Sequence, residues 1–160
     1  MSKIAVYPGT FDPVTYGHLD VIKRVSRLYE KVFIAVASSD QKNTLFSVEE
    51  RFDMLKKAVS EHKNVEVESF DGLVVEYASK KSAKVVIRGL RMISDFEYEF
   101  QMALTNRRLN SQVETMFMMP NELYSYLSSR LIKEVASMGA DVSEFVPPDV
   151  QKKLKEKYSK

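Results

Sequence analysis

At 160 residues, with 44% hydrophobic and 29% charged positions, the chain has the size and composition of one globular domain able to bury a core without staples. It has no cysteine, which removes disulfides and thiolate metal sites, and apolar runs such as 32–37 are too short to cross a bilayer. The 24 basic and 22 acidic residues leave a net charge of +2, which gives no support to bulk nucleic-acid binding, usually marked by a strongly basic face. With no secretory segment read at Met1-Ser2-Lys3, a cytoplasmic protein with neither membrane nor nucleic-acid partners is expected.

Strand-like and helix-like patterns then alternate. Residues 4–7 form a short apolar strand, and Leu19, Val21, Ile22, Val25, Leu28 and Tyr29 follow a helical period. Residues 32–37 are continuous, apolar and partly β-branched, as in a strand covered on both faces. Ser47-Val48-Glu49-Glu50 has the form of a capping box, and Phe52, Leu55, Ala58 and Val59 continue that helix. A brief strand at 65–67 precedes a short helix over 73–80. Val85-Val86-Ile87 is another buried-type strand, and Ile93, Phe96, Phe100, Ala103 and Leu104 mark a long helix. Residues 113–119 form the last strand. Leu127, Leu131, Val135 and Met138 mark a helix after it, and Pro147-Pro148 punctuates before a terminal helix on Val150, Leu154 and Tyr158. The lysines between 152 and 157 read as the solvated face of that helix.

This alternation predicts a single α/β domain over 1–160, a Rossmann-like doubly wound sheet of five parallel strands with helices on both faces and C-terminal helices. Ligands of such sheets bind beyond the carboxyl ends of the strands, where strand order reverses. Four polar loops follow strands and should converge there.

The first is the most informative. Tyr7-Pro8-Gly9-Thr10-Phe11-Asp12-Pro13 leads through Thr15-Tyr16-Gly17-His18 into a helix, placing an imidazole and unpaired N–H groups where a phosphate fits. Gly9 permits a tight turn and close approach of a ligand, and Thr10 adds a hydroxyl. The Gly-x-x-x-x-Gly-Lys and Gly-x-Gly-x-x-Gly signatures are both absent, so phosphate must be held differently. Arg88 and Arg91 flank Gly89-Leu90 at the end of a strand and offer paired guanidinium donors. Lys42 lies in the polar loop after the second strand. Asp95 and Glu97 suit a helix N-terminus, and Glu99, four residues beyond Asp95, shares its face and could accept from ribose hydroxyls. In Tyr124-Ser125-Tyr126-Leu127-Ser128-Ser129-Arg130, serine hydroxyls stand where a helix begins, and Ser129 is expected both to cap it and to meet phosphate.

Four of these segments together, Pro-Gly-Thr-Phe-Asp-Pro with Thr-x-Gly-His, Ile-Arg-Gly-Leu-Arg, Asp-Phe-Glu-Tyr-Glu and Ser-Ser-x-x-Ile-Lys-Glu-Val, resemble the bacterial phosphopantetheine adenylyltransferases from Ile4 to about Val150. The first segment alone marks only the wider HxGH nucleotidyltransferase superfamily. The resemblance implies adenylyl transfer from ATP to 4'-phosphopantetheine, with Mg²⁺ bridging substrate phosphates and a homohexameric assembly. It places Thr10 and His18 at the transferring phosphate, with Arg91 and Ser129 on the β- and γ-phosphates. Lys42, Thr10, Arg88 and Val74 are implied for the phosphopantetheine side, with Met102 and Asn106 along the pantetheine channel. Phe11, Gly89, Leu90, Arg91, Glu99 and each residue from Tyr124 to Arg130 are implied for ATP. Thr15 stands in place of the superfamily's first histidine, Arg130 where a third serine is common, and Val74 where a bulkier residue is common. Nicotinamide mononucleotide or glycerol 3-phosphate as acceptor, and a nucleotide-binding module without turnover, are the competing readings.

Overall fold

The computed structural model describes residues 3–38 and 43–159. In chain order these form β1 (Ile4–Gly9), α1 (Tyr16–Leu28), β2 (Lys31–Ala37), α2 (Val48–Ala58), β3 (Val65–Phe70), α3 (Val74–Lys80), β4 (Val85–Gly89), α4 (Ile93–Leu109), β5 (Glu114–Met118), α5 (Ser129–Ser137) and α6 (Pro148–Tyr158), with a 3-10 turn at Glu122–Tyr124. The five strands make one parallel sheet in the order β3-β2-β1-β4-β5. The chain moves outward from β1 to β3 and then returns to place β4 on the other side of β1. The switch point therefore lies between β1 and β4.

The strands alternate their side chains between two apolar layers, as period-two geometry requires. Ala5, Tyr7, Val32, Ile34, Val36 and Ile87 face one layer, where α1, α2, α5 and α6 pack through residues such as Ile22, Leu55, Ile132 and Leu154. Val6, Phe33, Ala35 and Val86 face the other, covered by Val75, Tyr77 and Ala78 of α3. α6 is also fastened to α2 by ion pairs, Lys157 to Glu50 at 3.1 Å and Lys57 to Asp149 at 3.4 Å. No helix among the described residues is long and apolar enough to cross a membrane.

Every predicted strand and helix is present, with shifted ends. β1 reaches Gly9 rather than Tyr7 because Pro8 and Gly9 still align with Ala35 and Val36 of β2. β3 runs to Phe70, opposite Ala37. α5 begins at Ser129 rather than at Leu127, whose apolar side chain enters the core from the preceding turn. α4 departs most from an amphipathic helix. Phe96, Tyr98, Phe100, Met102, Leu104 and Leu109 are all exposed, whereas Glu99 and Asn106 are buried.

The carboxyl edge of the sheet is closed by Arg51, a fully buried side chain of α2. Its Nη1 donates to the carbonyls of Thr10 at 2.7 Å and Ala37 at 2.9 Å, and its Nε donates to that of Phe46 at 3.2 Å. The first two carbonyls lie at or just beyond the ends of β1 and β2 and the third just before α2, and without the guanidinium all three lose a buried donor. Arg51→Met should destabilise the protein by about 3 kcal/mol, since each buried acceptor left unpaired costs about 1–3 kcal/mol. Urea unfolding checks this as a lowered midpoint at constant slope. An unchanged midpoint would contradict the role assigned to Arg51.

Candidate active site

The loop between β1 and α1 is folded around its own aromatic ring. Phe11 has a left-handed backbone, φ 50°, and a buried side chain. Its ring lies edge-on to Tyr7 at 5.5 Å and to His18 at 5.0 Å. A Cβ on Gly9 would come within 3.0 Å of that ring, which is why the turn takes glycine. The loop also contains a cis peptide bond between Asp12 and Pro13.

α1 then opens with a capping box in which histidine replaces the usual acid. Thr15 is the N-cap; its Oγ1 accepts from the His18 N–H, and its own N–H donates to His18 Nδ1 at 3.0 Å. Nδ1 is therefore the acceptor, and the single proton of the neutral ring belongs on Nε2. Burial, reinforced by Arg91 and Arg88, lowers the His18 pKa to about 4. The imidazole is neutral in ordinary buffers, and it offers one N–H in a wall of a cleft. Tyr7 lines the same space, and burial pushes its phenol up to about 12, so it too keeps its proton.

That cleft, about 730 Å³, opens at the β1–β4 switch point. Its cations do not face the space unaccompanied. Arg88 holds Glu99 through Nε at 3.0 Å and Nη2 at 2.6 Å, while its Nη1 donates to the Pro8 carbonyl at 3.2 Å. One N–H on each Nη remains beyond those contacts, a pair suited to an anionic oxygen. Arg91 donates to the Leu127 carbonyl at 2.5 Å and lies 3.7 Å from Asp95. Lys133 of α5 binds Asp12 at 2.6 Å. Ser128, not Ser129, caps α5 by accepting from the Leu131 N–H. The Ser129 hydroxyl donates to the Pro13 carbonyl at 2.7 Å, tying α5 to the first loop.

The structure brings Thr10, Phe11, His18, Arg88, Gly89 and Arg91 to the cleft, and Glu99, Leu127, Ser128, Ser129 and Arg130 join them. Leu90, Val74, Tyr124, Ser125, Tyr126, Met102 and Asn106 are outside its lining. Val74 packs beneath the sheet face that holds Phe33, and Tyr126 stands mostly exposed, edge-on to Phe145. Lys42 lies outside the described residues. Sequence reasoning passed over Tyr7, Asp12 and Lys133. The only signal for Lys133 was its place one turn after the Ser-Ser pair.

The chain matches the cytidylyltransferase-like family over residues 6–135. It is 54% identical to a phosphopantetheine adenylyltransferase of Caldanaerobacter subterraneus subsp. tengcongensis, with 99% of each chain covered. It is 50% identical to one of Geobacter metallireducens, covering 99% of this chain and 97% of the relative. Among solved structures, a proposed nicotinate-nucleotide adenylyltransferase of Vibrio parahaemolyticus superposes with a TM-score of 0.74 at 18% identity, covering 96% of this chain and 99% of its own. The nicotinic acid mononucleotide adenylyltransferase of Plasmodium falciparum, complexed with NaAD, gives 0.70 at 13% identity, covering 99% and 97%. At those identities the two structures speak for the fold alone.

The charge and tautomer of His18 can be read directly by nitrogen-15 NMR. The ring should carry its proton on Nε2 and show no titration between about pH 5.5 and 8, because a pKa near 4 leaves it neutral throughout. A midpoint near the ordinary 6.5, or a proton on Nδ1, would contradict the capping geometry.

Proposed function

The chain belongs to the phosphopantetheine adenylyltransferase family, and from that premise we propose that it transfers the adenylyl group of ATP to 4'-phosphopantetheine, giving dephospho-coenzyme A and pyrophosphate. The observation that carries this reading is the convergence, at one switch-point cleft, of a neutral His18 donor with Arg88, Arg91 and the start of α5.

In the reaction a phosphate oxygen of phosphopantetheine attacks the α-phosphorus of ATP, and the bond from that phosphorus to the bridging oxygen of pyrophosphate breaks. The nucleophile belongs to the substrate, so the protein's task is in-line positioning and stabilisation of the charge that builds at phosphorus. His18 donates from Nε2 to a non-bridging α-phosphate oxygen. Being neutral, it supplies a fixed hydrogen bond and takes no part in proton exchange. Thr10 lies beside the transferring phosphate, between donor and acceptor. Arg91 and Ser129 hold the β- and γ-phosphates, while Gly89, Leu90 and the segment from Tyr124 to Arg130 receive the rest of ATP. Lys42 and the two remaining N–H groups of Arg88 hold the acceptor phosphate, with Val74, Met102 and Asn106 assigned to the pantetheine arm. Glu99 belongs to this reading twice, as the carboxylate that orients Arg88 in the structure and as an acceptor for ribose.

Mg²⁺ enters as part of the MgATP substrate. Among the described residues no three acidic or histidine side chains gather into a metal cluster, and the cleft carboxylates Asp12, Asp95 and Glu99 each accompany a cation. Such a donor set suits a metal carried by phosphate oxygens and water. A cytoplasmic location is part of the same proposal, since that is where ATP is abundant. A homohexamer is proposed as well, supported by the exposed apolar side chains of α4, whose Phe96 and Phe100 rings stack at 5.6 Å on the surface.

Pyrophosphate release should require ATP together with phosphopantetheine, and His18→Ala should lower kcat by about 10²–10³-fold, the scale for losing one oxyanion donor. Release with nicotinamide mononucleotide or glycerol 3-phosphate instead would replace the acceptor. No release with any of the three would leave a binding module. Sedimentation equilibrium should give six times the 18.4 kDa chain mass. A stable monomer would remove the hexamer from the proposal.

A further inference from the structure

Asp12 has no role in the reading above, yet it is the most densely bonded acid of the cleft. It is buried, and its Oδ1 accepts from the Phe46 N–H at 2.9 Å. Its Oδ2 accepts from the Leu45 N–H at 2.9 Å and from Lys133 Nζ at 2.6 Å. Three separate stretches thus meet on one carboxylate: the loop after β1, the turn before α2, and α5. Asn43 and Thr44, which precede the braced turn, line the cleft, as do Asp12 and Lys133 themselves.

Two demands conflict here. The turn needs a strong acceptor for two amide groups, which a carboxylate supplies. A cleft for polyphosphates cannot afford an uncompensated negative charge in its wall, where screening by water is weak. A cation at bonding distance reconciles them, and Lys133 reaches Asp12 across 121 residues of sequence.

We propose that Lys133 is a positioning residue that acts through Asp12. It cancels the carboxylate's charge, so that Asp12 can brace the Leu45–Phe46 turn without repelling the polyphosphate. The inference rests on the proposed use of ATP, and it assigns Lys133 no contact with substrate.

The test is direct ATP binding by calorimetry, on wild type, Lys133→Met, Lys133→Arg, Asp12→Asn and the double variant Asp12→Asn/Lys133→Met, each checked for folding by thermal unfolding. Lys133→Met should raise the Kd for ATP about 10-fold or more, and Lys133→Arg should stay within about threefold of wild type. The double variant should bind ATP at least about threefold more tightly than Lys133→Met, because a neutral amide needs no counter-ion. A purely architectural pair, or a lysine whose contribution is its own contact with phosphate, leaves the double variant no tighter than Lys133→Met. A double variant no tighter than Lys133→Met would therefore overturn the proposal, as would a Lys133→Met Kd within about twofold of wild type. If wild type binds no ATP, the ATP reading fails instead.

Discussion

Where strands stop, their carbonyls and amides run out of ladder partners, and in this fold the cleft is built on that edge. Each exposed end must be closed without filling the space a ligand needs. Arg51 does so from below, taking the carbonyls of Thr10, Ala37 and Phe46 with one buried guanidinium. From the cleft side Arg88 takes the Pro8 carbonyl, Arg91 that of Leu127, Ser129 that of Pro13, and Asp12 the amides of Leu45 and Phe46. Arg51 and Asp12 are architectural, but Arg88, Arg91 and Ser129 show that groups able to meet a phosphate also hold the loops in place. Rigidity of the site and satisfaction of its backbone are one requirement.

The same economy governs charge. Arg88, Arg91 and Lys133 each stand beside a carboxylate, at 2.6, 3.7 and 2.6 Å. An incoming polyanion meets guanidinium groups whose orientation is already fixed, so little ordering remains for the binding step. Burial, with the charges of Arg91 and Arg88, also keeps His18 neutral, since a protonated ring would add a third charge beside those two. The capping box settles the rest. By using Nδ1 as the acceptor for the Thr15 amide, the helix start leaves only Nε2 to face outward with a proton.

Much of this was legible in the sequence, and the boundary is physical. Local signals carried the fold: unbroken apolar runs at 32–37 and 85–87, helical spacing from Leu19 to Tyr29, and the capping box at Ser47 all became the elements they predict. The loop from Gly9 to His18 was identifiable because glycine, threonine and histidine act there through neighbours a few residues away. Strand order was not, since β4 joins β1 through contacts that no short window contains. Arg51, Asp12 and Lys133 escaped for the same reason. Apart from Phe46, which is five residues from Arg51, their partners lie between 14 and 121 residues away, and an arginine or lysine on a helix ordinarily signals solvent. Ser129 was read as the cap because it is the second of two equivalent hydroxyls; one residue of register decided that Ser128 caps and Ser129 reaches Pro13.

α4 joins the site to the surface. A helix packed on a sheet normally turns its apolar stripe inward, whereas α4 buries Glu99 and Asn106 and leaves Phe96, Tyr98, Phe100, Met102, Leu104 and Leu109 exposed. Its inward polar choice follows from the cleft, because Glu99 must reach Arg88, whose guanidinium it grips through two bonds. The outward apolar choice has no such local explanation, and side chains of that size are stabilised by cover. One helix thus carries the carboxylate that orients a cleft-lining arginine and the largest run of exposed apolar groups among the described residues. A second chain packed on its outer face, as in the proposed hexamer, would also steady the inner one, and with it the alignment of Arg88.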